Sequence, residues 1–251
     1  MKVFDVNPER LTEPKAYLCK MTANRCRDML KSARNKRERY VGEWLPEPIY
    51  TGQEDAYEAV ERGELLSYAM LVLLEKLSPA ERAVLVLREA LSFDYTDIAE
   101  IVGKSEANCR KLLSRAKGKM GFAVEEKIQP EAGNAQWVGR FLTALEHNHV
   151  DEVVSMLAED VMLVSDGGGK VVAAIHPIVS RDAILKFIFG LLRKASQQDG
   201  QMRFELKNVN GQPGVVFYTG AEIETVVLLH VEEGLLRRIY FVRNPDKLNH
   251  L

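Results

Sequence analysis

The side chains best equipped for recognition chemistry fall close together. Ser105, Asn108, Arg110, Lys111, Ser114, Arg115 and Lys117 lie within residues 103–120, a stretch with 6 Lys/Arg against 1 Asp/Glu. A guanidinium can donate two parallel hydrogen bonds to guanine O6 and N7, worth ~1–3 kcal/mol of discrimination, which makes Arg110 the first candidate for reading a base edge. Lys117 and Lys119 suit phosphates, which position a protein on DNA without specifying sequence. Cys109, Leu112, Leu113 and Ala116 recur at helical spacing and can pack inward. A solvated basic face on an ordinary bundle helix would show the same spacing, so the pattern alone leaves both readings open.

The elements around this cluster sharpen the choice. In the run from Tyr95 to Cys109, small Ala99 permits close helix crossing, Gly103 sits where a helix-turn-helix bends, and Ser105 is an N-cap. Upstream, Leu65, Leu66, Ala69, Leu73, Leu74 and Leu77 form one helical face, and Ser78-Pro79 opens a further helix over 79–90. Helices over 95–103 and 105–119 complete four, enough for a compact bundle spanning residues 63–121.

Charge is unevenly distributed, although the net value is only -2. Residues 1–41 carry 11 Lys/Arg against 5 Asp/Glu, residues 42–102 carry 4 against 13, and residues 131–251 carry 12 against 15. Phosphate contacts are therefore expected in the N-terminal half alone. Three cysteines, Cys19, Cys26 and Cys109, are odd in number and widely spaced, so neither a disulfide framework nor a metal clip is expected. With no signal-like N-terminus and no apolar run near the ~20 residues of a bilayer span, a cytoplasmic protein without membrane contact is expected.

Periodicity divides the rest. Residues 42–62 lose their apolar period, carry Pro46 and Pro48 and accumulate acid, which predicts a linker; 122–133 is a second. From 134 to 251 the pattern predicts an α+β domain. Helical stripes at Trp137 to Leu145 and Val150 to Leu157 precede a strand over 161–165, a helix over 180–194, and strands over 202–209, 214–219, 223–231 and 235–242, with Asn210-Gly211 and Glu233-Gly234 as hairpin turns. Asp160, His176, Tyr218, His230 and Tyr240 could in principle serve a pocket, but no pair stands at a spacing that assigns acid and base roles. No catalytic residue, cofactor or metal is assigned.

Leu77-Ser78-Pro79-Ala80-Glu81-Arg82-Ala83-Val84-Leu85-Val86-Leu87-Arg88-Glu89, followed by the Tyr95 to Ser105 pattern and Arg110-Lys111-Leu112-Leu113-Ser114-Arg115-Ala116, closely resembles region 4 of extracytoplasmic-function (ECF) sigma factors. In that family the domain recognises the promoter -35 element. Pro14-Lys15-Ala16-Tyr17-Leu18 and the basic residues after it resemble the end of sigma region 2, over residues 1–41. The resemblance implies -10-type contacts from Asn24, Arg25, Asp28, Lys31 and Arg34. A complete region 2 would have further helices upstream, including one that docks on the polymerase clamp. The chain is accordingly expected to be a shortened relative or to begin at a misassigned start, with an exposed or rearranged first helix.

Trp44-Leu45-Pro46-Glu47-Pro48, Asp166-Gly167-Gly168-Gly169-Lys170 and Asn244-Pro245-Asp246-Lys247-Leu248 together resemble the ECF group with a SnoaL-like, nuclear transport factor 2-like, C-terminal cone. The resemblance implies that the extension touches the inter-domain linker at these residues and tunes sigma activity. A stiff linker with Trp44 as aromatic anchor, packed on the glycine turn and the tail, would fix the angle between the two DNA-binding parts. Implied partners are promoter DNA and the RNA polymerase core, with a small-molecule ligand in the cone as a further expectation. The alternatives are a shortened DNA-binding regulator that does not support initiation, and a pocket enzyme fused to a vestigial DNA-binding domain.

Overall fold

The computed structural model of the 251-residue chain describes residues 14–31, 40–51, 67–120, 134–196 and 202–251. It forms two compact units, Met1–Arg39 with Leu73–Glu125, and Tyr40–Val72 with Glu126–Leu251. Arg34, residues 52–62 of the expected linker, Leu65, Leu66 and the expected linker 122–133 lie outside the described residues. Among the described residues no helix is long and apolar enough to cross a membrane.

The first unit contains α1 (Pro14–Lys31), the end of α2 (Tyr68–Glu75), α3 (Pro79–Leu85), α4 (Tyr95–Val102) and α5 (Glu106–Met120). A capping box starts α3: the Ser78 hydroxyl accepts from the Glu81 amide, and the Glu81 carboxylate accepts from the Ser78 amide at 2.9 Å. Two orphan amides of the first turn are thereby satisfied reciprocally. The expected helix over 79–90 does not stay α-helical, since Val86–Ala90 is a wider π turn. There the Leu91 amide reaches the Val86 carbonyl, the Phe93 amide reaches that of Leu87, and Arg88 donates to the Phe93 carbonyl at 2.7 Å. Asp94 caps α4, and Gly103, at φ +68°, ends it in the left-handed turn that non-glycine residues resist. Val84, Leu87, Ile98, Ile101, Cys109, Leu113 and Ala116 are buried in the bundle.

In the second unit, α6 (Asn134–Glu146) and α7 (Val150–Met156) lead into β1 (Leu157–Asp166), β2 (Ile178–Val179) and α8 (Arg181–Ser196). Then come β3 (Met202–Val209), β4 (Gln212–Thr219), β5 (Glu222–Glu232), β6 (Leu235–Val242) and α9 (Pro245–Leu248). The sheet order is β2-β1-β6-β5-β4-β3, with β1 and β6 parallel and the other neighbours antiparallel. This is the helices-then-sheet, α+β plan expected from the periodicity of the sequence. Both hairpin turns are where the sequence places them, with Asn210, Gly211, Glu233 and Gly234 all at positive φ. Strand β1 starts at Leu157 and not at 161; exposed Glu159 and Asp160, at a register shift, break the apolar pattern that would mark its first residues.

Both faces of this sheet are covered, and strand alternation divides them. Val161, Leu163, Val215, Val227, Leu229 and Ile239 pack with Phe141, Met156 and Ile184 of the helices. Val164, Val216, Tyr218, Val226, Leu228, Tyr240 and Val242 point the other way and pack with Leu45, Tyr68, Ala69 and Leu248. The second face is thus closed by residues from the expected linker, the start of α2 and α9. Residues 40–51 are not a free tether here.

Candidate functional site

The candidate DNA-reading face lies on α5. Ser105 accepts from the Asn108 amide at 3.3 Å as N-cap, and Ser105, Asn108, Arg110, Lys111, Ser114 and Arg115 are all exposed. Cys109, Leu113 and Ala116 turn inward, as the helical spacing predicts. Arg110 is held over the Tyr95 ring at 4.5 Å and donates to Glu106 at 2.9 Å. An exposed i,i+4 pair contributes only about 0.3–0.5 kcal/mol, so a base edge can replace it. Lys117 and Lys119, the residues suited to phosphates, each pair with a carboxylate of the bundle. Lys117 is half-buried and pairs with Glu89 at 3.2 Å, and Lys119 pairs with buried Glu81 at 2.7 Å. These two lysines tie α5 to the bundle.

On α1, the side chains of Asn24, Arg25 and Asp28 are exposed, and Lys31 is the last residue of the helix. The helix is not left unsupported, because it lies along α4. Lys20 pairs with Glu100 at 2.8 Å, and Lys15 donates to the Leu91 carbonyl and lies over the Phe93 ring at 5.0 Å.

In the second unit the three sequence motifs meet around one carboxylate. Asp166, 0% exposed, accepts from the Leu45 amide at 2.8 Å, the Gly168 amide at 3.0 Å, the Tyr40 hydroxyl and the Lys247 ammonium at 2.8 Å. Lys247 also donates to the Leu45 carbonyl and lies 3.8 Å from the centre of the Trp44 ring and 5.1 Å from that of Tyr40. Asn244 caps α9 and donates to the Tyr40 hydroxyl at 2.8 Å. Burial and the neighbouring Asp166 raise the Tyr40 phenol well above its ordinary range, which keeps it a hydrogen-bond donor.

Close approach or a left-handed backbone constrains each glycine of the turn, with Gly169 at φ +72°. A Cβ on Gly168, at φ +59°, would meet the Asn244 side chain at 2.4 Å, and one on Gly169 would meet Val41 at 3.0 Å. Gly167 is hemmed in by Ala173 and the Val171 carbonyl. Outside this polar centre, Lys170 reaches Asp246 at 2.6 Å, an exposed pair of little energetic weight. The expected anchor is corrected: Leu45, at 0% exposure, is the buried side chain, and Trp44, at 39%, covers Lys247 from outside. Pro46 and Pro48 are buried, Glu47 is exposed, and Leu248 packs under the sheet face with Leu45. Pro245 opens α9.

Tyr40 and Tyr68 were not among the expected site residues. An aromatic residue just before Trp44-Leu45-Pro46 was the available signal for Tyr40, and nothing local marked Tyr68. The five pocket candidates are dispersed. Asp160 pairs with Arg237, Tyr218 donates to Glu205, Tyr240 packs on Tyr68 under the linker, His176 is exposed in a loop, and His230 stands opposite Arg238 between β5 and β6. Among the described residues no group of three or more His, Cys, Asp or Glu could hold a metal ion.

Comparison with known proteins agrees with both units. The family model for Sigma-70, region 4, matches residues 67–120. The chain is 33% identical to the ECF RNA polymerase sigma factor SigJ of Mycobacterium tuberculosis, over 94% of this chain and 79% of that protein. It is 28% identical to the probable ECF RNA polymerase sigma factor SigI of the same species, over 99% of this chain and 81% of that protein. The crystal structure of M. tuberculosis SigJ superposes with a TM-score of 0.76 at 28% identity, covering 98% of this chain and 86% of that chain. The chain belongs to the extracytoplasmic-function sigma factors, with a helical region 4 and a C-terminal sheet domain in one polypeptide.

Proposed function

We propose that this chain recognises promoter DNA for the RNA polymerase core, and that its C-terminal domain regulates that step without catalysing a reaction. Asn108, Arg110, Lys111, Ser114 and Arg115 on α5 read and hold the -35 element, with Ser105 at the helix N-terminus near the phosphates. Asn24, Arg25, Asp28 and Lys31 on α1 serve the -10 element, and Arg34 belongs to the same stretch.

The observation that carries the recognition reading is the exposed face of α5, where Arg110 and four polar or basic neighbours stand outward in a chain whose relatives are sigma factors. The regulatory reading rests on the Asp166 centre, which binds Leu45 through both backbone groups and so fixes the linker to the sheet. A network with every partner in place specifies one arrangement rather than adding much stability. Run-off transcription with RNA polymerase core tests the reading. Initiation from a two-element promoter that is lost on scrambling the -35 element supports it, and initiation indifferent to that element contradicts it.

A further inference from the structure

Thr51 and Ser67 border residues 52–66, and both flanks of that segment are held at one place in the second unit. On the first flank, Tyr50 bridges Val209 in antiparallel fashion, the Thr51 amide donates to the Asn208 carbonyl at 3.0 Å, and the Asn210 amide donates to the Ile49 carbonyl at 2.8 Å. The Asn210 side chain accepts from the Ile49 amide at 3.2 Å, and the Thr51 hydroxyl bonds Asn208 and the Gly211 amide, each at 3.0 Å. Residues 49–51 thus extend the sheet edge at the tip of the β3–β4 hairpin.

On the second flank stands Tyr68, the first residue of α2. Its amide, an N-terminal group with no acceptor inside its own helix, donates to Gln212 Oε1 at 3.3 Å. Gln212 is buried, and its other end donates to the Leu229 carbonyl at 3.3 Å. Tyr68 is 0% exposed, its hydroxyl donates to the Pro46 carbonyl at 2.7 Å, and its ring lies 5.3 Å from that of Tyr240. The region 4 match begins at residue 67, so the anchored turn opens the helix with which that domain starts.

We propose that the β3–β4 hairpin is a second clamp, separate from the Asp166 centre, through which the C-terminal domain acts on region 4 by gripping the first turn of α2 at Gln212 and Tyr68. The proposal rests on the promoter-recognition reading. Asn210 and Gln212 are its positioning residues: Asn210 supplies the left-handed turn together with the Ile49 contacts, and Gln212 caps α2 across the sheet. The same hairpin therefore holds Thr51 and Tyr68, the residues on either side of the segment that joins the linker to α2.

Gln212→Met, which keeps volume and removes both hydrogen bonds, and Asn210→Gly, which keeps the left-handed backbone, test the proposal in the full chain. Amide exchange at residues 49–51 and 68–72, binding to a duplex carrying only the -35 element, and run-off transcription with RNA polymerase core are measured together. The expected result for Gln212→Met is exchange at residues 68–72 faster by about tenfold with the Leu45 amide still protected. Run-off output is expected to change by about threefold or more while the -35 duplex affinity stays within about twofold. Asn210→Gly is expected to do the same through residues 49–51, and serves if Gln212→Met does not fold. Faster exchange with unchanged output makes the hairpin a structural contact only and overturns the proposal, as does unchanged exchange. Failure of the unsubstituted chain to bind the -35 duplex overturns the promoter reading itself, and this proposal with it.

Discussion

Lys247 Nζ lies 2.8 Å from Asp166 Oδ2 with both side chains buried, and the Leu45 backbone is bonded to each of them. Taking two charges out of water costs several kcal/mol per ion, and the attraction between them offsets this only when the remaining lone pairs and protons are satisfied. Here the Tyr40 hydroxyl, two backbone amides, a carbonyl and two aromatic faces do so. The linker segment is therefore part of the pair's solvation, and it cannot leave without exposing or stranding a charge.

Removing one partner is predicted to be costly. Asp166→Asn or Lys247→Met leaves the other group buried and unpaired, and each is expected to destabilise the second unit by about 3–5 kcal/mol. The double variant is expected to lose less than the sum of the two, because the stranded charge is then absent. Urea unfolding followed by the fluorescence of Trp44, in a Trp137→Phe background, measures all three. Additive losses would show that the two groups do not interact.

The glycine turn makes a separate prediction. Gly168→Ala forces a side chain into φ +59° and against Asn244, so it is expected to cost more than the ~1 kcal/mol of an ordinary left-handed alanine. Gly220→Ala, at φ +62° with nothing within 4 Å, is the control that carries the backbone strain alone. The difference between their unfolding midpoints isolates the Asn244 contact, and equal midpoints would show that the contact yields freely.

The DNA-reading face is expected to separate specificity from affinity. Arg110→Ala should cost about 1–3 kcal/mol at one base position and relax preference there. Lys111→Ala should weaken all sequences alike and lower the salt slope by about one. Lys117→Ala should lower the stability of the bundle more than it lowers DNA affinity, because its partner is Glu89. Equilibrium binding over a salt series, with one promoter position varied, distinguishes the three.

Much of this was legible in the sequence, for identifiable reasons. Helix starts at Ser78 and Ser105, the bend at Gly103 and the hairpin turns at Asn210-Gly211 and Glu233-Gly234 rest on local backbone chemistry, which short sequence windows carry. The meeting of Leu45, Asp166 and Lys247 was expected only through the combination of three motifs, since their separations in sequence exceed any local signal. The exchange of roles between Trp44 and Leu45 was not legible. Both are large and apolar, and alternation along an extended segment decides which faces the sheet only once the sheet is there. Tyr68 reads as another apolar helix position until Gln212 and Pro46 are placed beside it.

Acid should loosen the bundle at a defined point. Glu81 is held down at about 2 from an ordinary value of 4.5, first by the Lys119 ammonium and then by the Ser78 hydroxyl and amide. Its folded value lies below its unfolded one, so its contribution is complete above pH 4.5 and is lost as the pH falls from 4.5 through 2. Glu81→Gln is expected to flatten that part of the stability profile of the first unit. A profile unchanged by the substitution would remove Glu81 from the acid response.

In the proposed regulation, the C-terminal domain governs promoter use by holding residues 40–48 on its sheet. The decisive measurement is run-off transcription with RNA polymerase core, comparing the unsubstituted chain with the double variant Tyr40→Phe/Trp44→Ala. Output from a two-element promoter is expected to depart by about threefold or more while affinity for a -35-only duplex stays within about twofold. Equal output from the two proteins, with the linker amides shown by exchange to be released, would contradict it.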